Sequence, residues 1–128
     1  MARIIAIEDS TALQRLLQIT MRGTGFDIES HITAADGLAA ATEGPPSLII
    51  LDLGLPDRSG WEVLEHLRAH STTSDIPVII TTGQSSGTVA ERAAAFDAVI
   101  LEKPYTGAVL RATVELLTRG RSTAAALS

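Results

Sequence analysis

No cysteine occurs among the 128 residues, so neither a disulfide framework nor a thiolate metal site is open to this chain. Aromatic residues are scarce, at 3% against 45% hydrophobic, so the core must be aliphatic, built from Ile, Leu, Val and Ala. No stretch approaches the ~20 apolar residues of a membrane-spanning helix, and the start, MARIIAIEDS, lacks the pattern of a secretory signal. Positive charge is outnumbered: the formal net charge is −5 and no basic cluster occurs, which disfavours nucleic acid and anionic membrane surfaces as partners. His31, His66 and His70 show no zinc-motif spacing and read as surface histidines. The expectation is one soluble, cytoplasmic domain, long enough to bury a core without staples.

What the chain does have is alternation. Residues 3–7 (RIIAI) form a β-branched run that ends in acids. Leu13, Leu16, Leu17 and Met21 then recur at helical spacing, with Ser10 or Thr11 as N-cap and Gly23 and Gly25 as the stop. Residues 26–30 alternate at period two, as a strand wet on one face does. Residues 33–36 can cap an alanine-rich helix that stops before Gly44-Pro45-Pro46. Residues 47–53 (SLIILDL) are nearly all apolar, as in a central parallel strand covered on both faces. Ser59 and Glu62 have capping-box spacing ahead of Val63, Leu64 and Leu67. Residues 77–82 (PVIITT) read as a fourth strand, 89–96 as a weak helix, 98–101 as a fifth strand and 106–118 as a last helix. Residues 120–128 lack a clear pattern and are expected to be a tail or linker stub behind a domain of residues 1–119.

Five strands alternating with helices predict an α/β fold with right-handed crossovers and helices on both faces. The length suits a flavodoxin-like, doubly wound, five-stranded parallel sheet of order 2-1-3-4-5, with five helices in three α/β/α layers. Such sheets place their sites beyond the carboxyl ends of the strands. Those ends carry Glu8-Asp9, Asp52, Thr81-Thr82 and Glu102-Lys103-Pro104. Two like charges ~4 Å apart cost about 4 kcal/mol at an effective dielectric of 20, so converging carboxylates must take up protons or bind a cation. An oxygen-only site with one or two carboxylates suits Mg²⁺. A carboxylate nucleophile, a metal and a lysine together make a phosphoryl-transfer site.

At this point the chain resembles the receiver domain of two-component response regulators over essentially its whole length. Residues 52–60 (DLGLPDRSG) look like the family's phosphoacceptor segment, Glu8-Asp9 like its acidic pair, Thr82 like its switch hydroxyl and Lys103-Pro104-Tyr105 like its lysine–proline–aromatic motif. Strand alternation aims only one of Thr81 and Thr82 at the site; the spacing to Pro77 and Asp52 resembles the family's with Thr82. The resemblance implies that Asp52 accepts a phosphoryl group from a histidine kinase or histidine phosphotransfer protein. It implies that Asp9 and Asp52 ligate Mg²⁺ directly, that Glu8 acts through a metal-bound water, and that the Gly54 backbone carbonyl is a further ligand. Thr82 would bond the phosphoryl group, Lys103 would pair with it, and Lys103-Pro104 would be cis. The protein would be a signalling switch acting on a downstream protein or output domain rather than a turnover enzyme. It would be a monomer, or a weak dimer through its fourth helix, fifth strand and fifth helix.

The chain departs from the pattern at Ile100, where the family often has an aromatic that swings inward, and at Phe96, where glycine is common. Gly54 lacks a side chain to orient water toward an acyl phosphate, so a persistent phosphorylated state is expected. Asp57 and Glu102 read as solvated charges, and Trp61 as a packing residue near a helix cap. Two other classes compete with this reading. A phosphatase of the haloacid-dehalogenase type also uses a strand-end aspartate, but needs a second aspartate where this chain has Gly54. A phosphorylation-independent interaction module of the same fold would not need Asp9, Asp52, Thr82 and Lys103 together.

Overall fold

The computed structural model describes residues 2–84 and 86–127, with side chains described as far as residue 119. Strands and helices alternate: β1 (Ala2–Ile7), α1 (Thr11–Thr20), β2 (Phe26–His31), α2 (Ala34–Glu43), β3 (Leu48–Asp52), α3 (Gly60–Ala69), β4 (Val78–Thr82), α4 (Gly87–Ala95), β5 (Val99–Glu102) and α5 (Gly107–Leu127). All strands are parallel, in the order β2-β1-β3-β4-β5 expected from the sequence. The last helix runs past Thr118 to Leu127, through the stretch expected to be a tail; Ser128 lies outside the described residues.

Local chemistry sets the element boundaries. Ser10 caps α1, accepting from the Leu13 N–H at 3.3 Å, and Thr33 caps α2, accepting from Asp36 at 3.2 Å. Ser59 caps α3 through the Trp61 N–H, at 3.2 Å, rather than through Glu62 as a capping box would. Gly23 and Gly25 take φ of 77° and 86° in the turn between α1 and β2, a conformation that penalises any side chain.

The sheet separates two cores. On one face Ile5, Ile7, Ile49, Leu51, Val78 and Ile80 pack against α2, α3 and α4. On the other, Ile4, Ala6, Ile50, Ile79 and Leu101 pack against α1 and α5. β3 and β4 are buried along their whole length, which accounts for the unbroken apolar run seen in the sequence. Side chains alternate along a strand, so the residues that continue the α1/α5 face beyond the core are Glu8, Asp52, Thr81 and Lys103.

Candidate functional site

The carboxyl end of β1 delivers Glu8 and Asp9, and that of β3 delivers Asp52. Oxygens of these three carboxylates lie within 4.8 Å of one another. Glu8 and Asp52 are buried, whereas Asp9 is exposed. β5 brings Lys103 to the same point. Its Nζ lies 3.1 Å from Glu8 Oε1 and 3.2 Å from Asp52 Oδ1. The Lys103-Pro104 peptide bond is cis.

Charge in this cluster is only partly neutralised. Burial pushes the Glu8 carboxyl up to about 7, and the neighbouring Asp52 charge adds to that; the Ser10 N–H and Lys103 pull the other way. Burial works to lower the Lys103 ammonium, but hydrogen bonding and attraction to Glu8 and Asp52 outweigh it and hold the group above its usual range. Burial raises the Tyr105 hydroxyl, and the Glu8 charge raises it further. Three carboxylates against one lysine leave the site short of positive charge.

The two oxygens of Asp52 have different surroundings. Oδ1 takes Lys103 Nζ and, at 3.1 Å, the Gly54 N–H. Oδ2 has neither a hydrogen bond nor an ion pair among the described residues. One oxygen is therefore held and the other is left with its lone pairs available. The backbone behind Asp52 is tight: a Cβ at Gly60 would stand 2.6 Å from the Asp52 carbonyl oxygen and 2.7 Å from Leu53 Cα, so the start of α3 presses directly on the end of β3.

The structure thus gathers Glu8, Asp9, Asp52 and Lys103, with Gly54 bonded to Asp52 through its N–H. The Thr82 hydroxyl is engaged within its own loop. It donates to the Gln84 carbonyl at 3.1 Å and accepts from the Gln84 N–H at 3.2 Å. Thr81 is the register partner of Asp52 and is buried on the same face of the sheet. Ile100 is half-buried in the α2–α4 core, pairing in register with Ile80. Two features were missed in the sequence. Asp57 is not a free charge: its carboxylate accepts from the Ala34 N–H at 2.9 Å and the Ala35 N–H at 3.1 Å, at the start of α2. Gln14, on α1, donates to the Glu8 carbonyl at 2.6 Å. Neither has a local signature, because both act on backbone groups of other elements.

The fold and rim now meet known proteins. The family model described as the response regulator receiver domain matches residues 4–115. The DNA-binding dual master transcriptional regulator RpaA of Synechocystis is 34% identical over 122 residues, covering 93% of this chain and 50% of that protein. The KDP operon transcriptional regulatory protein KdpE of Escherichia coli is 34% identical over 125 residues, covering 95% of this chain and 53% of that protein. This chain therefore spans about half the length of these curated relatives. A signal receiver domain from Vibrio parahaemolyticus superposes with a TM-score of 0.92 at 30% identity, over 99% of this chain and 97% of that one. A CheY-like response regulator receiver domain protein from Methanospirillum hungatei gives 0.86 at 25% identity, over 96% and 98%.

Proposed function

This chain belongs to the response regulator receiver domain family, and on that premise we propose that Asp52 accepts a phosphoryl group from a phosphohistidine of a kinase or phosphotransfer protein. The observation that carries the reading is the asymmetry of Asp52. Oδ1 is fixed by Lys103 and Gly54, Oδ2 has neither a hydrogen bond nor an ion pair among the described residues, and two further carboxylates stand close to Asp52. Attack by Oδ2 on phosphorus forms the P–O bond as the P–N bond breaks, and the departing imidazole nitrogen keeps the electron pair. The added charge falls on phosphoryl oxygens. Lys103 is already within ion-pair distance and needs only to exchange a carboxylate oxygen for a phosphoryl one.

The donor set of the acidic cluster is all oxygen, which fits Mg²⁺. Asp9, Asp52 and the Gly54 carbonyl would hold the ion, with Glu8 joined to it through water. The bound ion supplies positive charge that offsets the carboxylates and screens the phosphoryl oxygens. Thr82 takes part by releasing Gln84 and turning its hydroxyl to the new phosphoryl group, which biases the segment leading into α4. Transfer is promoted by the domain itself, without turnover.

The proposed setting is cytoplasmic. Upstream stands a histidine kinase or phosphotransfer protein, and downstream a partner protein or output domain. The kinship to two transcriptional regulators, RpaA and KdpE, supports a link to gene control. The domain is read as residues 1–119 with 120–128 as a tail or linker stub, and any self-association runs through α4, β5 and α5. The test uses acetyl phosphate and Mg²⁺, with intact mass as the readout. Wild type should gain one phosphoryl group and Asp52→Asn none; equal labelling of the two would remove Asp52 from the role.

A further inference from the structure

Glu8 and Asp9 are neighbours in the chain, but the fold holds them in different ways. The Glu8 carboxylate is gripped on both oxygens: Oε2 accepts from the Ser10 N–H at 3.0 Å, and Oε1 lies 3.1 Å from Lys103 Nζ. The Asp9 carboxylate has neither a hydrogen bond nor an ion pair among the described residues, and it is exposed. What aims it is its backbone. A peptide unit is planar, so the direction of the Glu8 carbonyl fixes the direction of the Asp9 nitrogen and Cα.

Gln14 sets that direction. Its Nε2 donates to the Glu8 carbonyl at 2.6 Å and lies 3.4 Å from the His31 carbonyl. The same His31 carbonyl accepts the Glu8 N–H at 3.0 Å. Gln14 is itself anchored in the first turn of α1, where its N–H donates to the Ser10 carbonyl at 3.0 Å. The side chain therefore folds back over the helix cap, closes the turn from Glu8 to Gln14 on itself and seats it against the end of β2.

From this geometry we infer that Gln14 is a positioning residue for the divalent cation, acting through the Glu8–Asp9 peptide to keep the otherwise untethered Asp9 carboxylate turned toward Asp52. The inference rests on the reading of the acidic cluster as a cation site. It requires a side chain that donates hydrogen bonds. Leucine has nearly the same size and no donor. Glutamate has the same shape and sets an oxygen against the Glu8 carbonyl. Arginine keeps donors on a longer stem.

The test titrates the metal-free protein with Mn²⁺ and counts free ion by electron paramagnetic resonance. Gln14→Leu and Gln14→Glu should weaken Mn²⁺ binding about tenfold, the size of effect typical of partners that orient metal ligands. Gln14→Arg should restore most of the loss. Labelling by acetyl phosphate at saturating Mg²⁺ should stay near wild type in all three, so the change falls on the ion concentration needed and not on the final rate. Unfolding midpoints in metal-free buffer identify any variant that has lost its fold, and the remaining variants then decide. Wild-type Mn²⁺ affinity in the variants without a donor overturns the inference, as does a loss that Gln14→Arg fails to repair. A wild type that neither binds Mn²⁺ nor takes label overturns instead the reading of the site on which it rests.

Discussion

Asp57 closes the start of α2 from a loop that follows Asp52, giving one oxygen to each of two successive N–H groups. Thr33 serves the next N–H, that of Asp36, and the Gly37 N–H begins the helical ladder on the Thr33 carbonyl, so the first turn of α2 has its donors satisfied. These backbone donors, that of Ala34 first, hold the Asp57 carboxyl below its usual range. A lowered folded value means that its contribution to stability is present above the ordinary aspartate range and is lost as pH falls through the lowered value. Asp57→Ala should therefore unfold at lower urea than wild type at neutral pH, and the gap should close on acidification. Urea titrations at a series of pH values check this; a gap that persists in acid would assign the effect to something other than the charge. The two capping residues differ in how readable they are. Thr33 stands directly before its helix and was legible from spacing alone. Asp57 caps from more than twenty residues away, and no local pattern encodes such a contact.

α4 is the least embedded helix beside the site. It is rich in alanine, and Ala93 is its buried residue among those described. The Arg92 guanidinium stands 4.6 Å from the centre of the Trp61 ring on α3, which gives the two helices a polar contact above their small apolar one. Trp61 is the chain's single tryptophan, so its emission reports on this contact without interference. Arg92→Ala should shift that emission and cost about 0.5–1 kcal/mol by urea unfolding, the range for a partly exposed cation–π pair. An unchanged spectrum would mean that the two side chains do not meet in solution. At this scale the sequence was largely readable: aliphatic runs and caps placed the strands and the first four helices to within a few residues. α5 was cut short, because a pattern of small residues after Thr118 carries no periodic apolar face even though the backbone remains helical to Leu127. The partner of Trp61 was out of reach, since an alanine-rich helix does not show which way it faces.

Across the whole molecule, the parallel sheet concentrates charge at one rim, with Glu8, Asp9 and Asp52 within 4.8 Å of one another. An ion that binds only the folded state stabilises it by mass action, by about 2.7 kcal/mol at a concentration one hundred times its dissociation constant. Saturating Mg²⁺ should raise the urea midpoint accordingly, chelation should reverse the gain, and Asp9→Ala should abolish most of it. Equal gains in wild type and Asp9→Ala would show the ion binding elsewhere. The rim was legible because a five-unit alternating chain of this length suits the order 2-1-3-4-5, and strand order decides which strand ends meet. The setting of Thr82 was not, since its hydroxyl turns back on Gln84 through a bond that only the loop after β4 can offer. By alternation Thr82 belongs with Ile80 to the α2–α4 side, whereas Asp52 belongs with Ile50 to the α1/α5 side. Lys103 touches both: its ammonium is on Asp52 at 3.2 Å, and its backbone N–H donates to the Thr82 carbonyl at 2.7 Å. If Asp52 takes up the proposed phosphoryl group, the added charge thus falls beside an ammonium whose own backbone is pinned to the end of β4 at Thr82, so a pull on Lys103 would be felt at the strand end that carries the switch hydroxyl.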